Sequence, residues 1–339
     1  MTLLAVAPML DWSDRHYRFF MRQISKSVIL YTEMIVADAI IHGDVERLLG
    51  YSPEEHPLVV QLGGSDPHKL ALASKKCAEY GYDEININIG CPSERVKSGN
   101  FGACLMQEPM LVADCVKSMQ DAALTPVTVK HRIGIDHVEE YGFVRDFVGI
   151  VAAAGCKHFI VHARNAILSG LSPKQNREIP PLKYDYVYKL KQDFPELMFT
   201  LNGGVKTVTQ IQEHLQHVDG VMLGREAYHN PYLLSTFDHV FGKEGACGSD
   251  EIPGSRIECG MTNLLSAELS LQIKSREEIA QSMLPYLHAA AQQNIPLHRI
   301  TRHMIGLYHG CPNAKIWRHT LTNTMIQESD IKLYESLLV

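Results

Sequence analysis

Short apolar, β-branched runs alternate with amphipathic stretches through the first two thirds of the chain. The runs are Leu4–Met9, Val28–Ile35, Leu58–Leu62, Glu84–Ile89, Val127–Arg132, His158–His162, Met198–Leu201 and Gly220–Leu223. Between them, apolar residues recur at helical spacing in Asp14–Ile24, Pro67–Glu79, Pro109–Ala122, Val138–Ala154, Tyr184–Asp193 and Thr207–Leu215. Runs of this short length suit strands, and the longer segments with a period near 3.6 suit helices. Eight strand–helix units over about 240 residues predict a (β/α)8 barrel. A doubly wound sheet is the alternative. It needs fewer strands and opens on a glycine-rich first turn, where this chain has Pro8-Met9.

Beyond Ala227–Phe241 the pattern changes. From Gly242 to about Gln272 the chain holds Gly, Ser, Cys and Pro without periodicity, which reads as a linker or surface insertion. Helical patterning returns in Arg276–Gln292, Ile300–Tyr308 and Asp330–Leu338. The expected organisation is a barrel over 1–242, a linker over 243–275 and a small helical module over 276–339.

Composition narrows the classes. The chain has 339 residues and no apolar run long enough to span a membrane. Its apolar start, Leu3–Met9, is too short and lacks the basic flank of a signal peptide, so a cytoplasmic protein is expected. The eight cysteines form no C-x-x-C pair, which speaks against structural zinc and a disulfide scaffold; no metal is expected. The net charge of −6 argues against nucleic acid, but its distribution argues otherwise. Up to Glu278 the net charge is −8; after it, +2. From Ile279 to Gln327 there is no Asp or Glu, while Arg299, Arg302, Lys315 and Arg318 are present with five histidines. A basic module on an acidic body suggests an anionic partner.

The candidate chemistry gathers at the strand ends, where barrels of this kind keep their sites. In Glu84–Pro92, isoleucine alternates with polar residues: Ile85, Ile87 and Ile89 face one way, Glu84, Asn86 and Asn88 the other. A buried amide without partners costs roughly 1–3 kcal/mol, so something polar must meet that face. Cys91 follows, between Gly90 and Pro92. It is either an inert buried thiol or a reactive one. Gln61, Lys130-His131-Arg132, His162-Ala163-Arg164, Asn202-Gly203-Gly204 and Gly224-Arg225 stand at other strand ends. The Asn202–Gly204 turn can expose backbone N–H groups to a phosphate, Thr207 can cap the next helix, and Arg225 adds a guanidinium. Lys130 and His162 are potential cations of the kind that stabilise a reduced flavin, and Gln61 can donate and accept at a pyrimidine edge.

Taken together, Ala7–Arg15, Asn86–Pro92, Gly102–Met106, Lys130–Gly134, Val161–Arg164, Asn202–Gly204, Gly224-Arg225 and Thr301–Met304 resemble the tRNA-dihydrouridine synthase family, most closely its A subfamily. The resemblance covers about 300 residues, and the ordered set of motifs is more specific than any one of them. It implies an FMN-dependent enzyme that reduces uridine in the tRNA D-loop, at positions 20 and 20a, with NADPH as reductant. It carries the catalytic cysteine onto Cys91. FMN contacts fall on Pro8, Met9, Gln61, Lys130, His162, Asn202, Gly203, Gly204, Gly224 and Arg225, and tRNA contacts on Asn88, Lys174, Arg177, Arg299 and Arg302. A monomer is expected. The 242–272 stretch is longer than the family's connection at that place. An ordinary thiol is mostly protonated at neutral pH, which suits an acid that protonates C5 of uracil after hydride reaches C6. The rivals are another flavin barrel acting on a free pyrimidine, similar to dihydroorotate dehydrogenase, and a tRNA-binding protein without turnover.

Overall fold

The computed structural model describes residues 3–94, 96, 99–138, 140–240, 273–323 and 331–336. The expected linker lies outside them except for its last three residues, as do both ends of the expected Asp330–Leu338 helix. Contacts gather into two units. One comprises residues 2–19 and 29–226; the other comprises residue 1, residues 20–28 and residues 227–339.

The first unit is a closed parallel barrel. Its strands are β1 (Leu3–Val6), β2 (Leu30–Val36), β3 (Leu58–Gly63), β4 (Glu84–Ile89), β5 (Val127–Arg132), β6 (His158–His162), β7 (Met198–Asn202) and β8 (Gly220–Leu223). Each pairs in parallel with its neighbour in the order β1-β8-β7-β6-β5-β4-β3-β2. Closure comes through Ile29, just before β2. Its N–H donates to Leu4 and its carbonyl accepts from Val6. The interior is packed by Ala5, Ala7, Tyr31, Val59, Ile160 and Met222.

The helices form where the period predicts them. Pro67–Glu79, Pro109–Ala122 and Tyr184–Asp193 match their expected bounds. Asp66 caps the first of these by accepting from His68 and Lys69, and Thr207 caps Val208–Leu215 by accepting from Gln210. The short helices Ala37–His42 and Val45–Leu49, after β2, carry too few residues to show a period.

In the second unit, the expected Ile300–Tyr308 helix is interrupted. An α-turn spans His298–Thr301 and a 3-10 turn spans Ile305–Tyr308. Gly306, inside the second turn, has no room for a side chain: a Cβ there would lie 2.7–2.8 Å from the carbonyl oxygens of His229 and Tyr228 and from Pro231. The chain tightens at that point to bring two backbones together. Arg276–Gln292 also divides, into Arg276–Ser282 and Leu284–Gln292, with Pro285 in the first turn of the latter.

Candidate active site at the barrel mouth

The alternation of β4 is answered by its neighbours. Register sets Asn86 beside Gln61 and Thr128, and Asn88 beside Lys130. The Gln61 amide nitrogen donates to Asn86 Oδ1 (2.8 Å), and the Asn88 nitrogen donates to Gln61 Oε1 (2.8 Å). Asn86 donates to Thr128 Oγ1 (2.9 Å), which donates to Glu84 (2.6 Å). Polar residues inside the barrel therefore satisfy one another.

Asn88 Oδ1 accepts from the backbone N–H groups of both Gly90 and Cys91, at 3.0 Å each, and so shapes the Cys91 turn. Cys91 is half-buried, with its Sγ 3.4 Å from Ser93 Oγ. Its carbonyl accepts from Ala103 N (3.0 Å), which brings the Gly102–Gln107 turn against it. Lys130 stands beside Asn88 in register, and Arg132 Nε donates to the Gly90 carbonyl (3.2 Å), so both bases neighbour the Cys91 turn.

Lys130 Nζ donates to Asn202 Oδ1 (3.0 Å), and Asn202 Nδ2 is fixed by the Met222 carbonyl (2.8 Å). Arg132 is buried; it donates to the carbonyls of Gly90 (3.2 Å), Asn165 (3.2 Å) and Asn176 (3.1 Å). No carboxylate pairs with Lys130 or Arg132 among the described residues. Burial, then repulsion from Arg132, pushes the Lys130 ammonium down to about 7. Burial also pushes Arg132 down to about 9. His162 is driven well below the usual imidazole range, first by burial and then by Arg132, Lys130, Arg164 and Arg177. Of the two potential cations read from sequence, His162 is therefore held neutral. A concentration of positive charge that the protein itself leaves uncompensated favours an anion.

The glycine turns divide by cause. Gly203 and Gly204 have φ of +117° and +75°, and a Cβ would strike His162 in the first case and Leu182 and Tyr184 in the second. Their glycines answer the chain's own packing, with Tyr184 Oη donating to the Gly203 carbonyl (2.7 Å). Gly224 is different. A Cβ there would meet nothing nearer than Ala7 at 4.0 Å, so its missing side chain leaves open space. Arg225 does not stand alone: it pairs with Glu178 (2.5 Å) and donates to the Arg177 carbonyl (3.3 Å). Lys174 precedes a 3-10 turn, Gln175–Arg177, whose last residue is Arg177, and both are exposed. Pro8 and Met9 are half-buried, held by Ser13, whose hydroxyl accepts from Met9 N (3.0 Å) and donates to the Ala7 carbonyl (3.3 Å).

The structure thus gathers Gln61, Asn88, Cys91, Lys130, His162 and Asn202 in one barrel. Sequence reasoning named Arg132 only as a strand end and Ser13 only within a motif, giving neither a role, and passed over Thr128 and Glu178. Only the strand period could have indicated Thr128, which shares a face with Lys130. His131 belongs to the core, where its buried ring packs on Phe147 and Phe159. Arg299 and Arg302 lie in the second unit, both exposed, and Arg302 Nε donates to His303 Nε2 (3.2 Å). No cluster of metal-ligating side chains occurs among the described residues.

A parallel (β/α)8 barrel with a cysteine, a lysine of lowered pKa and an open glycine position at its strand ends is the arrangement of a barrel enzyme. The family model for dihydrouridine synthase matches residues 5–337, and the chain belongs to that family. It is 52% identical over 327 residues to the tRNA-dihydrouridine(20/20a) synthase of Synechocystis sp., covering 96% of this chain and 90% of the relative. It is also 49% identical over 337 residues to the protein of the same name from Escherichia coli, covering 98% and 90%.

Proposed function

We propose that the protein reduces uridine to 5,6-dihydrouridine in tRNA, at positions 20 and 20a, with FMN as cofactor and NADPH as electron donor. The observation that carries this reading is half-buried Cys91, on a turn held by Asn88 and by Arg132, in a chain half identical to enzymes of that name.

The mouth fits a flavin. Lys130 and Arg132 lack carboxylate partners among the described residues, and Gly224 leaves room that its neighbours do not fill. Pro8, Met9, Gln61, Lys130, His162 and Asn202 would hold the ring, and Gly203, Gly204, Gly224 and Arg225 the phosphate. FMN held there would supply the hydride, with NADPH as its source. Lys130 regains its full charge beside an anion, because the attraction offsets the cost of its burial. His162, neutral, serves as a hydrogen-bond partner and not as a charge. Gln61 and Asn88 orient planar polar edges through their amides. Cys91 gives its proton to C5 of the uracil, and the resulting thiolate faces Lys130, Arg132 and Arg177, which stabilise it. The base has to leave the RNA stack to come within reach of the thiol. Asn88, Lys174 and Arg177 would contact tRNA at the mouth. In the helical module, 276–339, Arg299 and Arg302 would meet phosphates. The protein would act in the cytoplasm as a monomer; no helix among the described residues is long and apolar enough to cross a membrane.

The test is a visible spectrum and a nucleoside digest. Purified protein should be yellow and release FMN, and tRNA lacking dihydrouridine should gain it at 20 and 20a when NADPH is supplied. Cys91→Ala should keep flavin and its reduction by NADPH while losing most dihydrouridine formation. Colourless protein that takes up no FMN, or activity on a free pyrimidine alone, would overturn the reading.

A further inference from the structure

The hydrogen bonds inside the barrel form a chain whose direction can be assigned from one end. At the Cys91 turn, two backbone N–H groups, those of Gly90 and Cys91, point at Asn88 Oδ1. A backbone N–H can only donate, so that atom is the carbonyl oxygen and the other is the amide nitrogen. The nitrogen donates to Gln61, which must receive it on oxygen. The Gln61 nitrogen then donates to Asn86 oxygen, and the Asn86 nitrogen to the Thr128 hydroxyl oxygen. Thr128 spends its one proton on Glu84. Glu84, at the start of β4, ends the chain as an acceptor. It also bonds the Tyr31 hydroxyl, whose burial raises its pKa and keeps it a donor. Gln61, Asn86, Thr128 and Tyr31 are all buried, so water does not compete for these bonds.

We infer that Thr128 and Glu84 are positioning residues that fix, from below the site, which way the Gln61 and Asn88 amides face and how the Cys91 turn is held. The inference rests on the reading of the mouth as the flavin and uracil site. An amide and its flipped form have the same shape, so only hydrogen bonding selects between them. With the chain intact, both lone pairs of Asn88 Oδ1 are used and one N–H remains. Asn88 can therefore meet a carbonyl oxygen but not an amino group, which suits a uracil carbonyl. Gln61 keeps one N–H and one lone pair, a donor–acceptor pair for a pyrimidine edge. Bonds aligned head to tail polarise one another, so a break at Thr128 is felt at Cys91.

The experiment measures hydrogen exchange at the backbone amides of Gly90 and Cys91, by mass spectrometry of peptides from protein without flavin or RNA. Thr128→Val keeps the shape and removes the hydroxyl; Asn86 loses its acceptor and the chain can reverse. Exchange in the 88–92 segment should quicken about tenfold, the scale of one neutral hydrogen bond. Thr128→Ser should return it to wild type. Glu84→Gln, which can donate to Thr128 and so frees the direction, should quicken exchange less than Thr128→Val. On tRNA, Thr128→Val should lower kcat with FMN content kept, and Thr128→Ser should restore it. Wild-type exchange in Thr128→Val and Glu84→Gln, or equal quickening in Thr128→Ser and Thr128→Val, would overturn the inference. The exchange result does not depend on turnover. Quickened exchange in a protein that makes no dihydrouridine would sustain the chain and remove only the reading of the site.

Discussion

Lys130 carries the clearest energetic signature of any single residue at the mouth. Its pKa falls from 10.5 to about 7 because burial and Arg132 penalise the charged form. Between about 7 and 10.5 the unfolded chain keeps a proton that the folded protein has lost. This group therefore makes stability rise with pH across that window, and its cost is greatest below pH 7. Lys130→Met should raise the Tm of flavin-free protein, by more at pH 6 than at pH 9. Scanning calorimetry at the two pH values checks this, and an equal gain at both would exclude a penalised ammonium. A residue that costs the empty fold this much is one whose charge is suited to a ligand.

At the scale of elements, the turn after β4 depends on a glycine outside the strand. Gly102 has φ of +77°, and a Cβ there would lie 2.4 Å from Val96 Cγ1 and 2.7 Å from the Cys91 carbonyl oxygen. Left-handed backbone and a collision with backbone both oppose a side chain. Gly102→Ala should cost roughly 2 kcal/mol and displace the carbonyl that accepts from Ala103. The expected result is a lower denaturation midpoint with dihydrouridine formation reduced. An unchanged midpoint would show that the turn relaxes freely. Arg132 holds the same turn from the other side, tying Gly90 to Asn165 and Asn176 in the segment after β6. The β4 and β6 loops are thus linked through a β5 side chain.

Over the whole molecule, the question is how a chain of net charge −6 holds a polyanion. The proposed answer is local. Arg299 lies in the His298–Thr301 turn and Arg302 caps it, so the i, i+3 relation survives the interruption of the longer expected helix. If each meets a phosphate, replacing either with Ala should reduce the log–log salt slope of tRNA binding by roughly 0.7–0.9. FMN content and NADPH oxidation without tRNA should not change. Filter binding at several salt concentrations is the measurement; an unchanged slope with lost thermal stability would assign the arginines to the module's own packing.

What the sequence alone determined is the repeating unit. The switch between period 2 and period 3.6 is a local property, so four of the eight strands and three of the barrel helices have the bounds expected of them. The strand-end residues were legible too, because parallel strands must all finish on one side of a barrel. Helices as short as Ala37–His42 were not, since six residues cannot display a period. Nor was the partner of the β4 polar face. Thr128 lies 42 residues from Asn86, and only the register between β4 and β5 brings them together. His131 and Lys130 look alike as strand-end bases, yet alternate faces of β5 send one into the core and the other to the mouth. Charge state was the last thing the tertiary structure decided. The pKa values of Lys130 and His162 depend on burial and on Arg132, Arg164 and Arg177, cations that share a site with them only once the barrel is closed.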